Sequence, residues 1–547
     1  MGRNVLLSCY LMAYCAIIIL FPGRTSFAQS ITAEKTEYTG YRANCGNCHA
    51  AQELRIEGEE DAEEEQLSAW VKSPMFDDWD KHDLHKIAHR AVENDRGQEI
   101  LERLGNTAGM KQECLACHGT PKAKTAFPID DIQSVKFDSV AGVSCEACHG
   151  PYRGWDVIHR ESGWRTLPSA EKEKVLGFVD MRNPLSRAEK CVSCHIGSVA
   201  EGKLVTHAMY VAGHPPLSGF DVQGYLQWMP QHWENMRDKA PHVQLEQEAA
   251  GLWRRDELVG SRAAFVGLAV SLRANLEALA SVATESTLNE PSYYSWPELG
   301  LMECSSCHHD LRQESWRRDP VRMVLRHQPG NDRAPAVGRP CLPTSSRVAL
   351  MAPPVLDVWK SSHEASEIAL AMEQLNLALD ELDAEFRAHP FGNPKRVESL
   401  ARVAGQKADE LAILLNEFTL LEPTAVKLTA ALAELGREQH LSFDESRQIV
   451  WTFDQLHRDL KNNSSMDTDI RAREEILASF GRSLNLTGNS PLDRILPEGN
   501  SHDWLTGNSL LDLSVRARNR FEDDDKVGPS RVIETWHELL GGGIDRN

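Results

Sequence analysis

Cysteine and histidine recur in this chain at a spacing suited to one kind of chemistry. The pentapeptide Cys-x-x-Cys-His occurs five times: as Cys45, Cys48 and His49; Cys114, Cys117 and His118; Cys145, Cys148 and His149; Cys191, Cys194 and His195; and Cys304, Cys307 and His308. Two thiols three positions apart can each add to one vinyl group of the same porphyrin, and the histidine that follows then faces the iron as its proximal ligand. The pattern reads as five covalently attached haems c. Zinc is the competing reading, but zinc ribbons bring Cys-x-x-Cys pairs together two at a time and need no histidine directly after the second cysteine.

The sixth position of each iron decides what it can do. A second histidine makes a closed electron carrier, whereas an empty site binds substrate. Residues 29 to 330 hold His82, His85, His89, His159, His207, His214, His232, His242, His309 and His327 besides the proximal five, enough to close every haem. His82 and His89 compete with His85, and His89 lies one helical turn from it, so both cannot easily face one iron.

The elements that must position these ligands differ along the chain. Residues 29 to about 330 carry every motif, and the first four crowd between Cys45 and His195 with Gly, Pro and polar residues between them. Such a stretch must fold short helices and loops around the porphyrins, so that ligation becomes part of folding. From about 244 to 287, Leu258, Phe265, Leu268, Leu272, Leu276 and Leu279 recur at helical spacing, predicting a helical insertion of one or two amphipathic helices. A Pro-rich linker is expected over 331–360, from Pro335 to Pro354. A helical bundle is expected over 361–483, opened by a Ser361/Glu364 capping box and continued by Asn393-Pro394, by 424–435, by 442–460 and by a helix through Ile470, Ile476 and Phe480. The tail, 484–547, reads as irregular with short helices. The expected fold class is mainly α: a haem-organised multihaem cytochrome c domain followed by a C-terminal α-helical bundle.

Residues 1–28 read as a signal peptide. Arg3 supplies the charged start, Val5 to Phe21 the apolar stretch, and Ser26-Phe27-Ala28 small residues for cleavage. Pro22-Gly23 breaks the apolar run before it reaches the ~20 residues of a spanning helix, and no later segment reads as transmembrane. Export to the periplasm or another extracytoplasmic space agrees with haem attachment. Of thirteen cysteines, two leave with the signal and ten serve the motifs, so Cys341 is left over, as a buried free thiol or an intermolecular bridge. The formal charge of −21 argues against nucleic acid and fits either a surface kept soluble by charge or redox partner proteins with cationic docking patches.

The order of motifs resembles the cytochrome c-554 family, the tetrahaem cytochromes that take electrons from hydroxylamine oxidoreductase, and its larger multihaem relatives in bacteria. The residues that carry the resemblance are Glu113-Cys-Leu-Ala-Cys-His118, Gly142-Val-Ser-Cys-Glu-Ala-Cys-His-Gly-Pro151 followed by His159, and Lys190-Cys-Val-Ser-Cys-His195. To the larger relatives it extends through Thr206-His207, Gly213-His-Pro-Pro-Leu217, Pro230-Gln-His-Trp233 and Cys304 to Asp310. The resemblance implies distal ligand roles for His85, His159, His207 and His214, with His232 the first choice for a fifth and Met209 an alternative to His207. It also leaves one haem of the tetrahaem set open. Two functions follow as expectations: an electron carrier, or an oxidoreductase acting on a small nitrogen or sulfur compound at a five-coordinate haem with Arg153 or Lys190 nearby. No Cys-x-x-Cys-Lys motif occurs, which favours the carrier.

Overall fold

A computed structural model of the chain describes residues 45–49, 75–105, 107–122, 136–137, 142–215, 217, 220–227, 229–287, 294–302, 344–389, 391–435 and 443–463. Among these the regular structure is mainly helical, with one antiparallel ribbon of Pro121–Lys122 against Lys136–Phe137. The helices that frame the first four motifs are α1 (Gly46–His49), α2 (Met75–His82), α3 (Asp95–Arg103), α4 (Thr107–His118), α5 (Cys145–His149), α6 (Pro184–His195), α7 (His207–Ala212) and α8 (Val222–Leu226). In each of these four motifs the proximal histidine ends a helix. Helical pitch is the reason: positions three apart share a face, so both thiols project to one side and the histidine follows them.

Side-chain caps start these helices where the sequence supplies them. The Asn183 side chain accepts from the Leu185 amide and Pro184 opens the first turn of α6. Thr206 accepts from Met209 N and so begins α7 at His207.

Beyond Leu226 the α-helices among the described residues are α9 (Pro241–Ala249), α10 (Val259–Glu285), α11 (Ser346–Met351), α12 (Pro353–Ser361), α13 (Ser366–Ala388), α14 (Pro394–Glu417), α15 (Glu422–Leu435) and α16 (Phe443–Asn463). α10 is their axis, packing against α14, α6, α16, α11 and α8. Phe265, Leu268, Leu272, Leu276 and Leu279 are all buried along it, each worth about 1.5–3 kcal/mol relative to exposure. Its first turn is closed by α16: the Asp459 carboxylate accepts from Ser261 N at 2.6 Å and from Ser261 Oγ at 2.9 Å. An anion there complements the positive end of the helix dipole.

Several sequence expectations change. α10 is not amphipathic, because its small residues Ala263, Ala264, Ala269, Val270, Ala280 and Ala283 are buried as well as its leucines. It is long and apolar enough to cross a membrane by length and composition, contrary to the reading that no later segment is, and 83% of its most apolar window is buried inside the protein. Nor is it an insertion into a separate cytochrome domain. One apolar core runs from Ala188 and Val192 of α6 through α10 to Leu460 of α16, so the haem-bearing part and the bundle share their interior.

The linker expected over 331–360 is folded from Ser346 onward as α11 and α12, with Leu350, Val355 and Trp359 buried. Pro353 lies in the first turn of α12, where a missing amide hydrogen costs nothing, so the prolines start a helix instead of interrupting one. The Ser361/Glu364 capping box does not form: Ser361 ends α12, its hydroxyl donates to Val358 O at 2.7 Å, and α13 begins at Ser366. Asn393 caps α14 by accepting from Lys395 N and Arg396 N, as its Asn-Pro sequence predicts. Residues 1–28, the fifth motif with Cys304, Cys307 and His308, the leftover Cys341, the helix through Ile470, Ile476 and Phe480, and the tail from 484 lie outside the described residues.

Candidate functional site

The structure brings distal and proximal candidates together in pairs. The His85 and His195 ring centres stand 6.2 Å apart with their planes at 85°. Those of His118 and His214 stand 6.4 Å apart at 74°. Two imidazoles bound on opposite sides of one metal need this separation, since each side contributes a metal–nitrogen bond of about 2.0 Å and roughly 1.1 Å from nitrogen to ring centre. The residues present therefore fit a six-coordinate haem iron at the second and fourth motifs. His159 lies near enough to His49, and His232 to His149, for each to disfavour its neighbour's protonation.

The ring nitrogens facing away from these pairs are held by hydrogen bonds. His118 Nδ1 meets Ala88 O at 3.0 Å, His214 Nδ1 meets Pro215 O at 2.7 Å and His159 Nδ1 meets Trp155 O at 3.2 Å. A carbonyl can only accept, so Nδ1 carries the proton and Nε2 keeps the lone pair that binds metal. His85 differs, because its Nδ1 meets the carboxylate Asp83 Oδ1 at 2.9 Å. Burial first, and facing histidines with it, pushes the pKa of His149, His195 and His214 down to about 4. All three are neutral at pH 7, the ligating form.

Adjacent segments interlock the motifs. The Cys45 and Cys145 thiols lie close enough to shift each other's titration, as do those of Cys117 and Cys194, while Cys148 lies within electrostatic reach of both Cys191 and Cys194. Their order in space is thus one, three, four, two. Gly142 adopts φ +55°, and a Cβ there would lie 2.5 Å from His85 O, so only glycine lets Val143 N donate to His85 O at 2.9 Å. Thr120, just after the second motif, donates to Gly142 O at 2.8 Å and accepts from Ser144 N at 2.8 Å. Glu146, buried inside the third motif, accepts from Tyr152 N at 2.9 Å. These contacts explain the Gly-Val-Ser-Cys-Glu-Ala-Cys-His string in physical terms.

His214 is positioned by a basic clamp that sequence reading missed. Arg103 Nη1 donates to Ala212 O at 3.0 Å and Arg96 Nη2 to Gly213 O at 2.6 Å, so α3 grips the end of α7. An aromatic box was missed too. Phe178 stacks on His149 with ring centres 5.4 Å apart, and Trp155 and Trp164 meet Phe178 edge-on at 4.9 and 4.8 Å. Behind it the buried Lys172 ammonium sits 4.8 Å over the Trp164 ring and 3.3 Å from Asp180 Oδ2. None of these residues has a spacing that marks it, although Asp83-Leu-His85 carried its signal in plain sequence.

Of the three candidates in this segment, His85 is the one set opposite His195: His82 is exposed at the end of α2, and His89 is buried one turn beyond His85. His207 opens α7, and its amide donates to Glu298 Oε1 at 2.6 Å. Met209, its alternative, is buried two residues on. Three residues that the sequence assigns to the fifth haem, the thiols of Cys304 and Cys307 and the proximal ligand His308, lie outside the described residues. His309 and His327 and the side chains of Cys48 and Arg153 lie outside the described residues as well.

Residues 44–150 match the family model described as cytochrome c554 and c-prime. The chain is similar to cytochrome c-554 of Nitrosomonas europaea, at 23% identity over 196 residues, which is 35% of this chain and 69% of that protein. No solved structure matches it. The similarity to cytochrome c-554 thus covers the part of the chain that carries the first three motifs, and the chain is longer than that protein.

Proposed function

We propose that the protein is an exported pentahaem cytochrome c that relays single electrons between redox partners in the periplasm or another extracytoplasmic space. The observation that carries this reading is the 6.2 and 6.4 Å separation of two distal–proximal histidine pairs, which closes those sites to substrate. In this reading His85 faces His195, His214 faces His118, His159 faces His49 and His232 faces His149. Cys304 and Cys307 tether the fifth haem, and His308 and His207 are its axial ligands. The grip of the His207 amide on Glu298, six residues before Cys304, supports that assignment.

Bound haem supplies the one-electron Fe(III)/Fe(II) couple at each motif. The chain's own residues do the rest. The cysteines tether each porphyrin, and the closeness of cysteines from adjacent motifs sets neighbouring sites near enough for electrons to tunnel. The Nδ1 hydrogen bonds of His85, His118, His159 and His214 keep those imidazoles in the ligating tautomer. Phe178, Trp155 and Trp164 exclude water on the side of His149. The acidic surface, −21 over the full chain, favours a partner with a cationic docking patch.

Mass spectrometry of the mature protein tests the reading, since cleavage after about residue 28 and five thioether-linked haems together fix one expected mass. The ferric protein should be low-spin throughout and inert to cyanide and nitric oxide. A high-spin signal with turnover of hydroxylamine or nitrite would instead support the oxidoreductase.

A further inference from the structure

The axial histidines differ in one chemically consequential way. The outer nitrogens of His118, His214 and His159 meet neutral carbonyl oxygens, whereas that of His85 meets a carboxylate. We propose that Asp83 is a positioning and tuning residue that makes the His85/His195 site the lowest-potential haem of the described set. This rests on the reading that these two histidines bind one iron.

Asp83 cannot swing away from its partner. Its Oδ1 accepts from both the backbone amide and Nδ1 of His85, each at 2.9 Å, and thereby caps the short helical turn Leu84–Ile87. The residue is only 5% exposed, so water screens its charge little. Its other oxygen, Oδ2, is buried with no hydrogen-bond partner, so the carboxylate's hydrogen bonds go to His85, with His232 also within electrostatic reach. A carboxylate that pulls on the Nδ1 proton makes Nε2 a stronger electron donor. Stronger donation stabilises ferric over ferrous iron and lowers the potential. Reduction at this site takes up one electron from a neighbouring ferrous haem, which is oxidised; no bond forms or breaks, and the proton stays between Asp83 and His85.

Position gives this tuning its effect. The fourth motif lies beside the second, through Cys117 and Cys194, and within electrostatic reach of the third, through Cys148. The lowest potential then falls between the one/three pair and the second motif, so that each side holds its electron until the step across this site is driven. Asp83 regulates passage between two halves of the relay, as a carbonyl at the same place would not.

The test is a spectroelectrochemical titration of the full-length, haem-loaded Asp83→Asn variant, followed by electron paramagnetic resonance. Asparagine keeps an N-cap oxygen and a neutral acceptor. One midpoint should rise by about tenfold in the reduction equilibrium, about 59 mV for one electron, with the other midpoints and all low-spin signals unchanged. Asp83→Ser, which also caps without charge, should move the same midpoint in the same direction, and Asp83→Glu should restore it. Unmoved midpoints in the Asn and Ser variants with full haem content would overturn the proposal. His85→Ala separates this from failure of the ligand reading: if every haem stays low-spin in that variant, His85 binds no iron.

Discussion

Arg273 of α10 donates through Nη2 to Glu189 Oε1 at 2.8 Å, and Glu189 stands two residues before the first cysteine of the fourth motif. The same guanidinium hydrogen-bonds Asp409 of α14. One side chain thus ties the axis of the bundle to a haem-bearing helix on one side and to the next bundle helix on the other. Truncation after residue 355 removes most of α12 and all of α13 to α16, uncovering the buried leucines of α10. The truncated protein should fail to fold or load haem at the fourth motif, measured by circular dichroism and by haem-to-protein ratio. Retained spectra in a soluble fragment would show the bundle to be separable.

Arg273→Met tests the tie more gently. Hydrogen bonds to charged groups are worth about 1.5–3 kcal/mol, and the exposure of Glu189 and Asp409 at 43% each discounts this through screening. A loss of about 1–2 kcal/mol in denaturant unfolding is expected. The low-spin signal of the fourth motif should survive.

His214→Ala should open the second-motif site while leaving the others closed. One haem should become high-spin and bind cyanide, whereas His89→Ala should change no spin state, because His85 already stands opposite His195. Arg103→Met, which frees Ala212 O at the end of α7, should broaden the same signal without converting it.

Lys172 and Asp180 form a buried pair whose side chains are 1% and 3% exposed. Removing one partner of such a pair costs about 3–5 kcal/mol, so Asp180→Ala should lower the melting temperature sharply. Asp180 is held below the ordinary carboxylate range: burial opposes this, but Arg182 and Lys172 outweigh it. Its stabilisation is present above the unfolded pKa and is lost as pH falls below about 4. Burial pushes Lys172 down from 10.5 to about 8, so the unfolded chain binds more protons between those values. Stability should rise with pH across that window in the wild type, and Lys172→Met should abolish the rise.

Trp359→Ala, in the segment expected to be a linker, should cost about 3–5 kcal/mol. Its indole is 1% exposed and meets Phe265 of α10 and Phe418 edge-on, both at 5.5 Å. A change near zero in chemical denaturation would mean that α12 contributes nothing to the core.

The attachment motifs were legible in the sequence because a thioether-linked haem demands thiols and histidine within five consecutive residues, a spacing that belongs to the chain and not to the fold. Helices were legible for the same local reason: Asn393-Pro394 caps α14, and the leucine period of residues 258–279 lies along the buried axis. The pairing of His85 with His195 was not, because 110 positions of chain separate them and an axial ligand is defined by where two segments meet. The shared core was hidden likewise. Periodicity reports that a face is apolar, yet whether α10 covers an insertion or joins α6 to α14 depends on which apolar face lies opposite. Only the tertiary structure set Asp83, Arg103 and Arg273 beside their partners, since a hydrogen bond is a property of two positions in space, while a motif belongs to one stretch of chain.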